Sequence, residues 1–190
     1  MSAYIQDNNF SKEDFSIHPL EKGDYDNCHF LQCNFSETDL SEFKFMDCTF
    51  ENCNLSLSGI KHTAFQNIRF INCKMLGMRF DTCNIFGLSF HFDNCLLQHS
   101  SFYKLRIKKT LFNNSQLQDT DFAEADLTEA VFHHCQLDNA IFDRTILEKA
   151  DFRNAFNFSI DPENNKIKKA KFSESGLRGL LHKYNILIQD

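Results

Sequence analysis

Cysteine and histidine are the residue types of this 190-residue chain best suited to binding a metal, and there are eight of each. No two cysteines show the Cys-x2-Cys spacing of zinc sites, and no His-Glu-x-x-His motif occurs. Every cysteine stands two residues before a large apolar residue, as Cys48 does before Phe50. This constant position favours packing, because a cysteine is a good small hydrophobe. We therefore predict no metal site, no cofactor and no disulfide.

Motifs for catalysis are also absent from the sequence. The chain has no G-x-S-x-G, no Walker loop and no G-x-G-x-x-G, and it holds only six glycines. Its carboxylates are abundant, but nothing in their spacing indicates a cleft. We predict that the protein is not an enzyme. A surface site beside His91, where the pattern described next is irregular, is a distant alternative.

Large apolar residues recur at every fifth position. Seventeen follow one another from Phe10 to Phe90, and thirteen more run from Phe92 to Phe152. A period of five matches neither the 3.6 of a helix nor the 2.0 of a strand. It predicts a backbone that turns a corner every five residues and points one large side chain inward each time. The two series differ in phase by two residues, which places a register break at 86–92.

A second regularity supports this prediction. Small residues such as Cys28, Ala125 and Thr145 stand two positions before the large ones, and phenylalanines also recur every twenty residues. Four pentads per turn predict a four-walled β-solenoid of seven to eight coils, stacked at ~4.8 Å. In the second half, phenylalanine should occupy two opposite walls and leucine or isoleucine the other two. Bulky exceptions, among them Phe43 and Leu105, should distort the coil locally.

The pentads Ala125-Asp126-Leu127-Thr128-Glu129 and Ala150-Asp151-Phe152-Arg153-Asn154 resemble the A(D/N)LXX consensus of the pentapeptide-repeat proteins. The resemblance covers about residues 8–155 and implies an all-β fold, the right-handed quadrilateral β-helix of that family. The cysteine-rich pentads and the tail from Asp161 are similar to the quinolone-resistance and microcin-immunity branch, whose members protect DNA gyrase. That likeness implies DNA gyrase or topoisomerase IV as the partner, bound by partial DNA mimicry. The longer projecting loops of some quinolone-resistance proteins are not evident here.

The five-residue period ends after Phe152, so we divide the chain into a repeat domain, 1–158, and a C-terminal tail, 159–190. Apolar residues at i, i+3, i+4 and i+7 from Leu177 predict a short helix, and the run from Ile186 to Ile188 predicts a strand. The tail can cap the last coil, form a twofold homodimer interface, or do both with different faces, and the family resemblance favours a homodimer through the tail. The interface residues would be Leu177, Leu180, Leu181, Tyr184, Ile186 and Ile188.

Acidic residues are concentrated late in the repeat domain. The formal net charge of the chain is -6, and residues 119–151 alone carry -7, just after a basic stretch from Lys104 to Lys109. Duplex DNA carries one charge per ~1.7 Å of axis, so this segment could mimic DNA locally, whereas the whole rod is too weakly charged. An ordinary solvated surface accounts for the same acids. The candidate partner contacts are Asp119, Asp121, Glu124, Asp126, Glu129, Asp138 and Asp143, with Phe86 and His91 at the break.

The sequence also indicates where the protein works. No apolar stretch approaches eighteen residues, and the opening from Met1 to Asp7 is neither basic nor apolar, so we expect a cytoplasmic protein without membrane contact. The negative net charge disfavours direct binding to nucleic acid. Protection of a type II topoisomerase is the leading hypothesis. A generic scaffold for an unrelated protein partner is the alternative.

Overall fold

The computed structural model describes residues 3–189, and over most of this range the chain winds into a four-walled coil of parallel strands. Two walls contain regular strands. Wall A consists of β1 (Ala3–Gln6), β3 (Gly23–Asp26), β5 (Lys44–Met46) and β7 (Ala64–Gln66), paired in that order. Wall B consists of β2 (Asn9–Ser11), β4 (His29–Leu31), β6 (Thr49–Glu51), β8 (Ile68–Ile71), β9 (Phe90–Asp93), β10 (Leu111–Asn113) and β11 (Val131–His133). The coil also contains a 3-10 helix, Phe80–Thr82. The predicted all-β solenoid is confirmed.

The other two walls are held by single parallel bridges. Wall C joins Asn34 to Asn54 and Gln116 to Gln136, whereas wall D joins Asp39 to Gly59. Between walls the backbone turns through a left-handed residue, with φ of 54° at Asn52, for example. This conformation costs most L-residues ~1–2 kcal/mol, and asparagine and aspartate tolerate it best. The N–H of such a corner residue also donates to the next coil, which helps to hold the turn.

The interior is filled by stacked aromatic rings. On wall B, the rings of Phe112 and Phe132 are 5.0 Å apart and nearly parallel. Phe102 and Phe122 stack in the same way on the opposite wall D, at 5.2 Å. Rings of the two walls meet edge to face, as Phe112 and Phe122 do at 5.9 Å and 81°. Since each buried large side chain contributes ~1.5–3 kcal/mol, this core dominates the stability of the fold.

Small side chains fill the space beside the rings and also donate hydrogen bonds. The thiol of Cys135 donates to the carbonyl oxygen of Phe112 over 3.2 Å, one coil earlier. The hydroxyl of Ser58 makes the equivalent bond to the carbonyl of Phe35 over 2.7 Å. Cysteine, serine and threonine are therefore interchangeable here, because each is small and each supplies one donor.

The register shifts by two residues within one coil. Ala64 bridges Asn84, twenty residues on, but Ile68 pairs with Phe90, twenty-two residues on. The prediction that Ile85 points inward is wrong, because its side chain is 75% exposed. Phe90 fills the space instead: its ring lies 5.8 Å from that of Phe65 and 5.2 Å from that of Phe80. Two inserted residues thus eject one apolar side chain and bury another.

The tail differs from its prediction in secondary structure. It forms two 3-10 helices, Ser175–Leu180 and His182–Tyr184, and Ile186–Ile188 is not a strand. Gly176 and Gly179 disfavour a regular α-helix. The carbonyl of Gly179 accepts the N–H of Ile160, and a side chain at Gly179 would collide with the backbone of Phe158. The tail is therefore held against the last coil, and no described strand runs beside Ile186–Ile188.

Candidate protein-interaction surface

The loop at the register break exposes two large apolar side chains. Ile85 is 75% and Phe86 is 79% exposed. Gly87 follows with φ of 69°, a left-handed conformation that lets the chain return to the coil. The N–H of Phe86 donates to Oδ1 of Asn84 over 3.0 Å, and its carbonyl accepts Nε2 of Gln66 over 3.4 Å. The backbone is thus fixed while the Phe86 ring faces solvent.

The same loop interrupts the sheet of wall A. Asn84 bridges Ala64 on one side, and Arg106 bridges Asp126 on the other. Within residues 3–189, no bridge joins Asn84 to Arg106, although the same two coils pair on wall C through Lys74 and Leu96. Between these two coils the break therefore opens wall A, beside the exposed Phe86. Within the described residues wall D is also interrupted, one coil earlier, between Gly59 and Arg79.

A shallow groove leads from Phe86 over the first half of wall A. Its floor includes Met46, Ala64 and Gln66, and charged residues such as Asp24 and Lys44 border it.

His91, the other predicted contact at the break, lies in β9 on wall B, between Arg69 and Leu111 of the neighbouring strands. The structure thus places Phe86 and His91 on different walls.

The predicted acidic contacts are largely paired with cations. Glu124 lies between Lys104 of the previous coil, at 3.5 Å, and Arg144 of the next, at 3.1 Å. The hydrogen bond from Arg144 lowers the pKa of Glu124. Glu129 likewise lies between Lys109, at 4.0 Å, and Lys149, at 2.9 Å.

The remaining acids are spread around the coil. Asp126 pairs with Lys108 at 3.1 Å, and Asp143 pairs with Arg144 at 2.9 Å. Asp119 lies 3.8 Å from His99 and accepts a hydrogen bond from Asn139. In the described part of the chain, Asp121 and Asp138 have no cation within 4.0 Å, and Asp138 accepts from Asn157. These seven acids lie on several walls and do not form one acidic face.

Stacking of the coils therefore redistributes the charge that the linear sequence suggests. Residues 104–171 contain eleven acidic and eleven basic residues, and the net charge of -6 falls within residues 1–103. Residues 1–60 alone carry -8. The sequence signal that could have shown this charge compensation is the twenty-residue length of one coil. It stacks position 104 next to 124 and 144, and position 109 next to 129 and 149.

The cysteines offer no reactive site. All eight are free and buried. Burial raises the pKa of Cys48 to about 12 and that of Cys135 to about 12, so both thiols stay protonated at neutral pH. Among residues 3–189, no group of three or more histidine, cysteine, aspartate or glutamate side chains is placed to hold a metal ion.

The tail residues predicted to form a dimer interface have two different environments. Leu180 packs against the core, and the neighbouring Gly179 lies against Phe158, as a cap requires. Leu177, Tyr184, Ile186 and Ile188 are exposed, and Leu181 is partly buried. Dimerisation through the tail stays a prediction.

Two family models match the chain. The model of the pentapeptide repeat region matches residues 19–90 and 43–122, and the model of pentapeptide repeats (8 copies) matches residues 115–154. Together they cover well over half of the sequence. The chain belongs to the pentapeptide-repeat family.

Solved structures with the same fold include two trypsin-treated variants of QnrB1, described as a plasmid-mediated fluoroquinolone resistance protein. One variant is 14% identical, with a TM-score of 0.62, and the match covers 98% of this chain and 100% of that one. The other is 15% identical, with a TM-score of 0.62 and full coverage of both chains. At this identity the likeness shows the fold alone.

No curated protein sequence matches the chain. None of the described helices has the length and hydrophobicity to span a membrane.

Proposed function

We propose that this chain is a non-enzymatic, protein-binding solenoid that binds a type II topoisomerase, DNA gyrase or topoisomerase IV, and protects it from fluoroquinolones. The observation that carries the proposal is the break loop, the loop at the register break formed by residues 84–87, where two adjacent large apolar side chains, Ile85 and Phe86, are 75% and 79% exposed. Exposed aromatic side chains on a fixed backbone are the usual anchors of protein interfaces. The choice of a topoisomerase as partner follows the resemblance of the pentads and tail to the gyrase-protecting branch, and the fold is shared with QnrB1, described as a fluoroquinolone resistance protein.

The interior supports a binding role over catalysis. Rings and small side chains fill the coil from Phe15 to Phe158, which leaves the outer surface as the only place for function in the described chain. The surface carries no thiol, since the eight cysteines are buried. Binding through exposed side chains is the activity that such a filled rod supports.

Charge supports a partial DNA mimic at the N-terminal end of the rod. Residues 1–60 carry -8 and form about three coils, ~14 Å at the usual strand spacing. Duplex DNA would carry about eight charges over that length. The acids at 119–143 are compensated by neighbouring coils, so we assign them a weaker part in the contact, with Asp121 and Asp138 as its least screened members.

A supercoiling assay tests the proposal. Purified protein is titrated into DNA gyrase, read out by supercoiling, and separately into topoisomerase IV, read out by decatenation, each enzyme being inhibited by a fluoroquinolone. We expect wild-type protein to restore activity and Phe86→Ala to restore much less. Ile141→Ala is the matched control, because Ile141 is also exposed but lies on wall D, away from the break. If wild-type protein rescues neither enzyme, the topoisomerase proposal fails and a scaffold for another protein partner takes its place.

A further inference from the structure

The outer surface of wall A changes character from one end of the rod to the other. Bridges and strand pairs order it into nine rows within residues 3–189, from Ala3–Gln6 to the row of Lys166. The fifth row contains Asn84 and is followed by Phe86, so the break loop stands at the middle of the wall. Four rows, ~19 Å, lie on either side of it.

The first four rows and their corners are acidic. They carry Asp7, Asp24, Asp26 and Asp47 against one lysine, Lys44, which pairs with Asp24 at 3.3 Å. Asp26 accepts the hydroxyl of Tyr4 and Asp47 accepts Nδ2 of Asn67, so both carboxylates are held at the surface. The net charge of this half of the wall is -3.

The last four rows and their corners are basic. They contain seven basic and three acidic residues, so their net charge is +4. The basic residues are Arg106, Lys108, Lys109, Lys149, Lys166, Lys168 and Lys169. Lys166, Lys168 and Lys169 are exposed, and no carboxylate of the described chain lies within 4.0 Å of them. Their charge is therefore free to meet acids from outside the chain.

We propose that a second copy of this chain binds wall A antiparallel, about a twofold axis through the break loop. In that arrangement the acidic half of one copy faces the basic half of the other at both ends. The apolar residues Ile85 and Phe86 of the two copies meet near the axis. A twofold pairing of this kind is closed, so by itself it produces a dimer and no longer assembly.

The charge arrangement favours a second copy over other occupants. A polyanion would fit the basic rows but would be repelled by the acidic ones, and a polycation would meet the reverse. A second copy placed in the opposite direction brings a half with a net charge of -3 against a half with a net charge of +4 at both ends of the wall. The exposed loop at the centre supplies the apolar contact that such an interface needs.

This dimer would also regulate the proposed function. The loop that we assign to the topoisomerase contact is buried in the dimer, so the two partners exclude each other. That consequence rests on the proposed function, whereas the dimer itself does not.

Charge reversal tests the pairing. One variant carries Lys166→Glu, Lys168→Glu and Lys169→Glu, and a second carries Asp7→Lys, Asp26→Lys and Asp47→Lys. By sedimentation, we expect wild-type protein to be a dimer, each variant alone to be at least tenfold weaker in dimerisation, and an equimolar mixture of the two to regain it. Monomeric wild-type protein at all concentrations, or no recovery in the mixture, would overturn the proposal. Circular dichroism of each variant shows whether the coil is intact, and the recovery in the mixture cannot come from misfolded chains.

An engineered thiol tests the position of the axis. Because all eight native cysteines are buried, Asn84→Cys adds a single exposed thiol at the centre of wall A. We expect a disulfide-linked dimer under mild oxidation. Ile186→Cys is the matched control in the tail, and cross-linking through this position alone would show a tail dimer and overturn the wall A dimer. This result is independent of any supercoiling assay, so the dimer and the topoisomerase proposal can fail separately.

Discussion

The hydroxyl of Thr120 donates to the backbone carbonyl of Leu97, 3.1 Å away and one coil earlier. Thr145 makes the same bond to Phe122, and Cys95 makes it to Phe70. At these positions the small residue of the pentad therefore links successive coils through its side chain, in addition to the backbone ladder. Small size is what serine, threonine and cysteine share with alanine at this position, and the hydrogen bond is an additional contribution that alanine lacks.

Removing the hydroxyl of Thr120 should weaken the fold. Thr120→Val keeps the shape of the side chain but removes the hydrogen-bond donor, so the carbonyl of Leu97 loses this bond. We expect the free energy of unfolding to fall by about 1 kcal/mol. Thr120→Ser keeps the donor and should cost less. Urea denaturation of the two variants measures the difference. Equal midpoints would show that the bond contributes nothing.

The ring stack should dominate stability. Phe112 is fully buried between Phe92 and Phe132, so Phe112→Ala should cost about 3–5 kcal/mol. Phe156 is 44% exposed, and Phe156→Ala should cost less than about 1 kcal/mol. Thermal and urea unfolding compare the two variants. A similar loss in both would contradict the assigned core.

Alkaline pH should destabilise the protein through its buried thiols. Burial raises the folded-state pKa of Cys48 to about 12, above the ~8.5 of a free cysteine. The neutral thiol is favoured in the fold, so its contribution is full below pH ~8.5 and is lost as the pH rises toward 12. Urea midpoints between pH 8 and 11 should fall, and Cys48→Ala should show a shallower fall. An identical slope in the variant would exclude this thiol as a source.

Reversing the charge of Glu124 should destabilise the column of side chains that it forms with Lys104 and Arg144. Glu124→Lys would place a third cation between Lys104 and Arg144 in one column, and it should lower stability more at low than at high salt. Glu124→Gln, which removes the charge alone, is the control and should have a smaller effect. Melting temperatures at two salt concentrations measure both variants. If reversal and neutralisation behave alike, the cations do not compensate Glu124.

Much of the fold could be predicted because the five-residue period is read directly from the chain. The stacked walls and the packing role of the cysteines are confirmed by the structure. Ile85 was assigned to the core because a period cannot show where inserted residues leave it. The same series points Phe90 inward, and the structure confirms this, with the Phe90 ring packed against Phe65 and Phe80.

The surface was harder to predict than the core. Counting charges along the chain placed the acidic segment at 119–151, but coils stack residues that are twenty apart. Lys104 and Glu124 are distant in sequence and adjacent in space. The tail shows the same limit: the spacing from Leu177 is helical, yet Gly179 is held by Ile160 and the segment adopts 3-10 geometry.

Direct binding to immobilised DNA gyrase tests the central claim, that the break loop is the partner contact. Wild-type protein, Phe86→Ala and Ile141→Ala are compared at equal monomer concentration. We predict that Phe86→Ala raises the Kd at least tenfold, as truncation of an interface anchor does, and that Ile141→Ala leaves it unchanged. Equal affinity of wild-type protein and Phe86→Ala would contradict the account.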